Sequence, residues 1–169
     1  LIEATVAIHP HDSRVLLTLA RVQMGAGKER EAIATLRKLV EIAPESSKAY
    51  ILLSMVQMKQ QQNEAARSSL EQAVKLEPDS PVARVMLAQL DISAGNYTKA
   101  FGVAQDLRNS HPDAVYGDEL AGDVYSARAE YKQAADAYAI AYEKEHSAQL
   151  AKKLFKAHRK NGAHKAARQ

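Results

Sequence analysis

The side chains able to do chemistry are few and scattered. Six histidines stand at residues 9, 11, 111, 146, 158 and 164. His9-Pro10-His11-Asp12 puts two imidazoles and a carboxylate into one turn. Two metal donors of that kind are a weak constellation without the His-Glu-x-x-His spacing that sets ligands on one helix face. Glu119 and Asp123 form an i, i+4 carboxylate pair, which a groove or ion-pair role explains. Cysteine is absent, which excludes disulfides, thiolate metal sites and cysteine nucleophiles. There is no Gly-rich phosphate cradle and no Gly-x-Ser-x-Gly elbow. These residues predict no enzyme, no metal and no cofactor.

Charge is unevenly placed. Residues 147–169 carry seven Lys/Arg and no Asp or Glu, whereas the remainder holds 16 basic and 20 acidic side chains. The net charge of +3 therefore describes a mildly acidic body with a basic end. At that end Lys152, Lys156, Arg159 and Lys160 can meet an anionic partner, or pair with Glu119 and Asp123 one unit earlier. Interleaved aromatics are missing, so no nucleic acid is expected as a partner.

The elements that hold these residues follow from composition and period. Alanine supplies 31 of 169 residues and Gly plus Pro only 12, which favours an all-α protein with closely approaching helices. No apolar run reaches the ~20 residues of a membrane-spanning helix. Pro10, Pro44, Pro78 and Pro112 are spaced by 34 residues each. Other positions fall into the same columns: Ala32, Ala66, Ala100 and Ala134, and Gly27, Gln61, Gly95 and Ala129. A third column reads Glu29, Asn63, Tyr97 and Tyr131.

Each unit reads as two helices, from apolar residues at i, i+3, i+4 and i+7 such as Ile33, Leu36 and Val40. Predicted first helices cover 13–25, 47–60, 81–93 and 115–128, and second helices 28–42, 63–76, 97–110 and 131–145. Ser47 and Ser80 are the expected N-caps, and Pro81 suits a first helical turn. Residues 1–12 fit the second helix of a truncated unit. Full units are expected at 13–46, 47–80, 81–114 and 115–147. Residues 148–169 fit a further truncated unit, with a helix over 148–160 and Gly162 beside the glycine column. Leu1 in place of Met predicts a piece of a longer polypeptide.

A 34-residue helix–turn–helix period with these columns resembles the tetratricopeptide repeat. The fourth unit matches best, at Gly122, Tyr125, Tyr131, Ala134, Tyr138 and Ala141. The others depart from it, with no opening Trp and with Leu36, Leu70 and Ala104 where an aromatic is favoured. The resemblance implies an all-α, right-handed α-α superhelix of about four complete repeats plus partial repeats at both ends, forming a single domain. Leu19, Leu53 and Leu87 would fill the space between units. Stacking of neighbours would supply stability, and open ends would allow a homodimer.

The family's geometry also implies a concave groove lined by first helices, able to bind a protein or peptide segment. Its candidate residues are Leu17, Met24, Ile51, Met55 and Met58, followed by Val82, Val85, Met86, Ile92 and Tyr116. All four methionines fall among them, and flexible thioethers suit adaptable surfaces. Packing between helices is the other role open to each of them. The carboxylate clamp that some members use for chaperone tails needs Lys, Asn and Arg. Leu17 and Arg21, then Leu52, then Val82 and Met86 stand at its places, and one unit later Ile51 and Met55, Met86, then Tyr116 and Leu120, so no clamp is expected.

A narrower likeness covers Leu107 to Gly162, through Leu-Arg-Asn-Ser-His-Pro-Asp-Ala, Gly117–Asp123, Tyr131–Ala135 and Arg159-Lys160-Asn161-Gly162. It is similar to the C-terminal repeats of bacterial PEP-CTERM-system TPR-repeat lipoproteins. That likeness implies a scaffold in the periplasm or anchored to the outer membrane, linked to exopolysaccharide export or surface-protein sorting. A cytoplasmic adaptor module of a larger protein is the alternative setting.

Overall fold

The computed structural model describes residues 11–166, with side chains to residue 163. Of the truncated unit expected at residues 1–12, residues 1–10 lie outside that range. Among the described residues there are nine helices and no strand. They are α1 (Ser13–Gly25), α2 (Glu29–Ile42), α3 (Ser47–Lys59), α4 (Asn63–Leu76) and α5 (Pro81–Ser93), then α6 (Tyr97–Ser110), α7 (Tyr116–Ala127), α8 (Tyr131–Lys144) and α9 (Ala148–Ala166). The fold is an all-α helical repeat. None of these helices is long and apolar enough to cross a membrane.

The 34-residue period is written into the backbone. Gly27, Gln61, Gly95 and Ala129 all adopt left-handed conformations, with φ of 70°, 58°, 80° and 60°. Each follows a first helix and closes it in the same way. Gln61 N–H donates to the Met58 carbonyl at 2.9 Å, and Gln62 N–H to the Gln57 carbonyl at 2.9 Å. The same two bonds recur after α1, α5 and α7. This pairing satisfies carbonyls that a helix end would leave orphaned and turns the chain into the second helix.

Second helices end differently. Ala43, Glu77, His111 and Glu145 are pulled out of the helical region, with φ between −128° and −144°. Proline follows the first three, and its ring disfavours helical geometry in the residue before it. The next helix is then capped anew. The Asp12 carboxylate accepts from the Arg14 and Val15 amides at 2.8 and 3.4 Å, and the Ser46 hydroxyl from Ala49 at 3.3 Å. Ser46 thus takes the capping role expected of Ser47. Ser47 is buried instead, and its hydroxyl reaches the Ala73 carbonyl at 3.4 Å.

Two compact units result, Leu1–Ala83 and Arg84–Gln169. In the first, Leu16, Ala20, Ile33, Leu36, Leu39, Leu53 and Val56 form a core with Ala32 and Ala49. In the second, Ala88, Ala100, Ala104, Leu107, Leu120, Ala121 and Val124 do so, and Phe101 meets Tyr125 edge-on at 5.4 Å. Ala32, Ala66, Ala100 and Ala134 are fully buried, as their column requires. Leu53 is buried too, whereas Leu19 and Leu87 are only half-buried.

One helix departs from expectation. α9 runs on through Gly162 to Ala166 instead of ending near Lys160. The earlier first helices stop where a second helix packs back on them. At the corresponding place those helices turn on left-handed Gly27, Gln61, Gly95 and Ala129, whereas Gly162 stays helical.

Candidate functional site

The apolar candidates divide by unit. In the first, α1 and α3 carry Leu17, Met24, Ile51, Met55 and Met58. Leu17 and Met24 lean against the core, and Ile51 and Met58 are half-buried. Met55 stays 45% exposed. Met24, Met55 and Val56 line a recess of about 200 Å³, with Glu29 and Lys59 at its rim. Those two side chains form an ion pair. The hydrogen bond from Lys59, then the helix-start amide of Glu29 itself, holds the Glu29 carboxyl below its usual range. A flexible thioether floor with a charged rim can take an apolar side chain and orient a polar one beside it. Val82, on the first turn of α5, is also exposed.

In the second unit all the candidates are half-buried. Val85, Ile92 and Tyr116 pack against its core, and Met86 is half-buried. Like Leu17 and Met24, these positions combine packing with partial exposure. Periodicity alone does not separate the two roles, because a first helix uses adjacent stripes for both.

The second unit also holds a polar cluster where α7, α8 and α9 meet. Lys153 Nζ lies 2.7 and 2.9 Å from the two Asp123 oxygens and 2.8 Å from Glu119 Oε1. The Tyr138 hydroxyl donates to Asp123 Oδ1 at 2.8 Å. Lys153 Nζ also sits 5.6 Å from the Tyr138 ring centre. The pairing expected of Lys152 and Lys156 is therefore made by Lys153. On α9 Lys153 shares the buried stripe of Leu150 and Ala157, while Lys152 and Lys156 point outward. Burial works against the charge on Lys153, but the Asp123 carboxylate and the hydrogen bonds to Asp123 and Glu119 outweigh it and raise its pKa. Burial, then the charge of Asp123, pushes the Tyr138 phenol far up. A recess of about 280 Å³ opens beside this cluster, lined also by Ser126 and Lys156. With Asp123 and Glu119 held by Lys153, the carboxylate pair is engaged in holding helices together.

A second charged cluster escaped the sequence reading. Asp118 is only 4% exposed and accepts from Arg108 Nε and Lys144 Nζ, each at 2.6 Å. Lys144 also donates to the Pro112 carbonyl at 2.6 Å. The three residues come from α6, α7 and α8, and no spacing in the sequence announces them.

At the basic end Lys160 lies over the Tyr131 ring at 5.0 Å. Lys152, Lys156 and Arg159 are exposed. His111 shares a hydrogen bond with Ser110 at 2.9 Å, and His146 meets the Tyr142 ring edge-on at 4.9 Å. His9 and the side chain of His164 lie outside the described residues. Among the described residues, no three His, Asp or Glu side chains converge as a metal site would need.

The tetratricopeptide repeat family profile matches residues 1–56 and again residues 57–122. No curated protein sequence matches the chain. Solved structures with a similar fold include MamA, at 23% identity and a TM-score of 0.71, covering 86% of this chain and 85% of that one. Another is a thermophilic tetratricopeptide protein of Thermus thermophilus, at 20% identity and 0.76, covering 92% and 86%. YrrB, a tetratricopeptide protein described as having an unusual peptide-binding site, is similar at 13% identity and 0.66, covering 95% and 84%. Likeness at these identities speaks for the fold.

Proposed function

The chain belongs to the tetratricopeptide repeat family, and on that premise we propose that it is a non-catalytic scaffold that binds a segment of a partner protein. The observation that carries this reading is the Met24–Met55 recess, where the exposed thioether of Met55 and the half-buried one of Met24 meet beside the Glu29–Lys59 pair. The occupant is a peptide segment with an apolar side chain for the recess and a polar group for its rim. The peptide-binding site ascribed to YrrB supports such a role for this fold.

Capture from native lysate with wild type, Met55→Glu and Glu71→Lys tests the reading. Met55 and Glu71 are both exposed, so neither variant should unfold the chain. A partner lost only with Met55→Glu supports the recess. A partner held equally by all three proteins overturns it.

The finer setting is the bacterial envelope, in exopolysaccharide export or surface-protein sorting. It rests on the likeness of residues 107–162 to PEP-CTERM-system lipoproteins. Fractionation of native cells tests it. Recovery with the envelope supports it, and recovery in the cytosol favours an adaptor module of a larger protein.

A further inference from the structure

Phe155 breaks a rule that four units obey. Ala20, Ser54, Ala88 and Gly122 occupy its column and are all fully or almost fully buried. At Gly122 the reason is explicit, since the Tyr138 ring of the following helix fills the place of a side chain. Phe155 stands in that column on α9 and is 69% exposed. A helix laid on α9 as α8 lies on α7 would have to make room for that aromatic ring. Lys152 and Arg159 flank Phe155 at i−3 and i+4, both exposed. Neither has an ion-pair partner among the described residues.

The exposed face of α8 carries the complementary pattern. Ile140 is 46% exposed, with Asp136 four residues before it and Glu143 three after, both exposed and likewise unpaired among the described residues. Run antiparallel, the two faces match residue for residue. Lys152 meets Glu143, Phe155 meets Ile140, and Arg159 meets Asp136. Each charged pair is separated along its helix by seven residues, about 10.5 Å. Lys132, the opposite charge on the α8 face, then falls beside the small Gly162 and Ala163.

The geometry points to a second copy of this chain as the occupant, with α9 of one copy docking antiparallel on α8 of the other. Exposed aromatic and aliphatic side chains supply the apolar centre, and the charges fix register and direction. A two-fold arrangement makes the contact twice, α9 on α8 and α8 on α9. The inference stands apart from the Met24–Met55 recess, which lies in the other compact unit.

A charge exchange tests it by analytical ultracentrifugation. Wild type should self-associate across the micromolar range and dissociate as salt is added. Lys152→Glu/Arg159→Glu and Asp136→Lys/Glu143→Lys should each weaken self-association by about tenfold or more, since like charges then face each other. An equimolar mixture of the two variants should associate again, because every contact across the mixed pair is once more between opposite charges. Phe155→Ser should weaken association without restoring it in any mixture. Far-UV circular dichroism checks that each variant keeps its helices. The inference is overturned if wild type stays monomeric throughout, if either charge variant associates as wild type does, or if the mixture fails to recover.

Discussion

Tyr138 takes the space that a side chain at residue 122 would need. A Cβ built on Gly122 would collide with the Cδ1 and Cε1 atoms of the ring. The same ring sends its hydroxyl to Asp123, which in turn holds Lys153. One glycine thus permits α8 to approach α7, and that approach builds the cluster that seats α9. Gly122→Ala should lower stability by about 1–3 kcal/mol, the usual cost of forcing extra volume into a packed contact. Urea unfolding measures it. Tyr138→Leu should be less harmful in the Gly122→Ala background than in wild type, because the collision partner is gone.

The left-handed column makes an opposite prediction. Gln61 and Ala129 adopt φ of 58° and 60° without being glycine. Side chains with a Cβ pay about 1–2 kcal/mol in that region. Glycine's greater freedom in the unfolded chain returns part of the gain. Gln61→Gly and Ala129→Gly should therefore each raise stability by roughly 1 kcal/mol at most. Gly27→Ala should lower it by a similar amount. No atom lies near a Cβ at Gly27, so only the backbone is responsible. Chemical denaturation of the three variants decides the matter.

Asp118 is the carboxylate whose loss should be felt most. Its side chain is 5% exposed, while Arg108 and Lys144 are 32% and 25% exposed. Asp118→Ala should cost about 3 kcal/mol, because two cations then lose their buried partner. Arg108→Met and Lys144→Met should each cost less, because each leaves Asp118 one cation. Equal costs for all three variants would contradict this hierarchy.

Lys153 predicts a pH dependence. Its folded-state pKa lies above the ordinary 10.5, so the protonated amine stabilises the fold. That contribution is complete below the unfolded value and is lost as pH rises through the folded one. Stability should fall in the alkaline range above 10.5, and Lys153→Met should remove that part of the decline. A decline identical in the two proteins, measured by denaturation at increasing pH, would contradict the assignment.

The repeat was legible because proline and alanine columns record backbone needs directly. The left-handed turns were half legible: Gly27 and Gly95 announce them, whereas Gln61 and Ala129 conceal them behind ordinary side chains. The cap at Ser46 was misread by one position because two serines adjoin. The ion pairs at the end of the chain were expected from the right carboxylates but the wrong lysines. Repeat columns align Lys152 and Lys156 with Glu119 and Asp123, yet facing across a helix pair is set by helical phase, which gives the contact to Lys153. The Arg108–Asp118–Lys144 cluster was illegible, because its members lie on three helices. Among the groove candidates, Met55 and Val82 are exposed, whereas Tyr116, in the same column as Val82, is half-buried against its neighbours, a difference that the repeat pattern does not carry.

The central claim is that the Met24–Met55 surface receives a partner. A photo-crosslinking amino acid placed at Met55 in the native cell tests it most directly, with Arg37 on the exposed side of α2 as the control position. The account predicts a discrete crosslinked partner from position 55 and none from position 37. The same partner from both positions, or none from position 55 in cells where position 37 crosslinks, would contradict it.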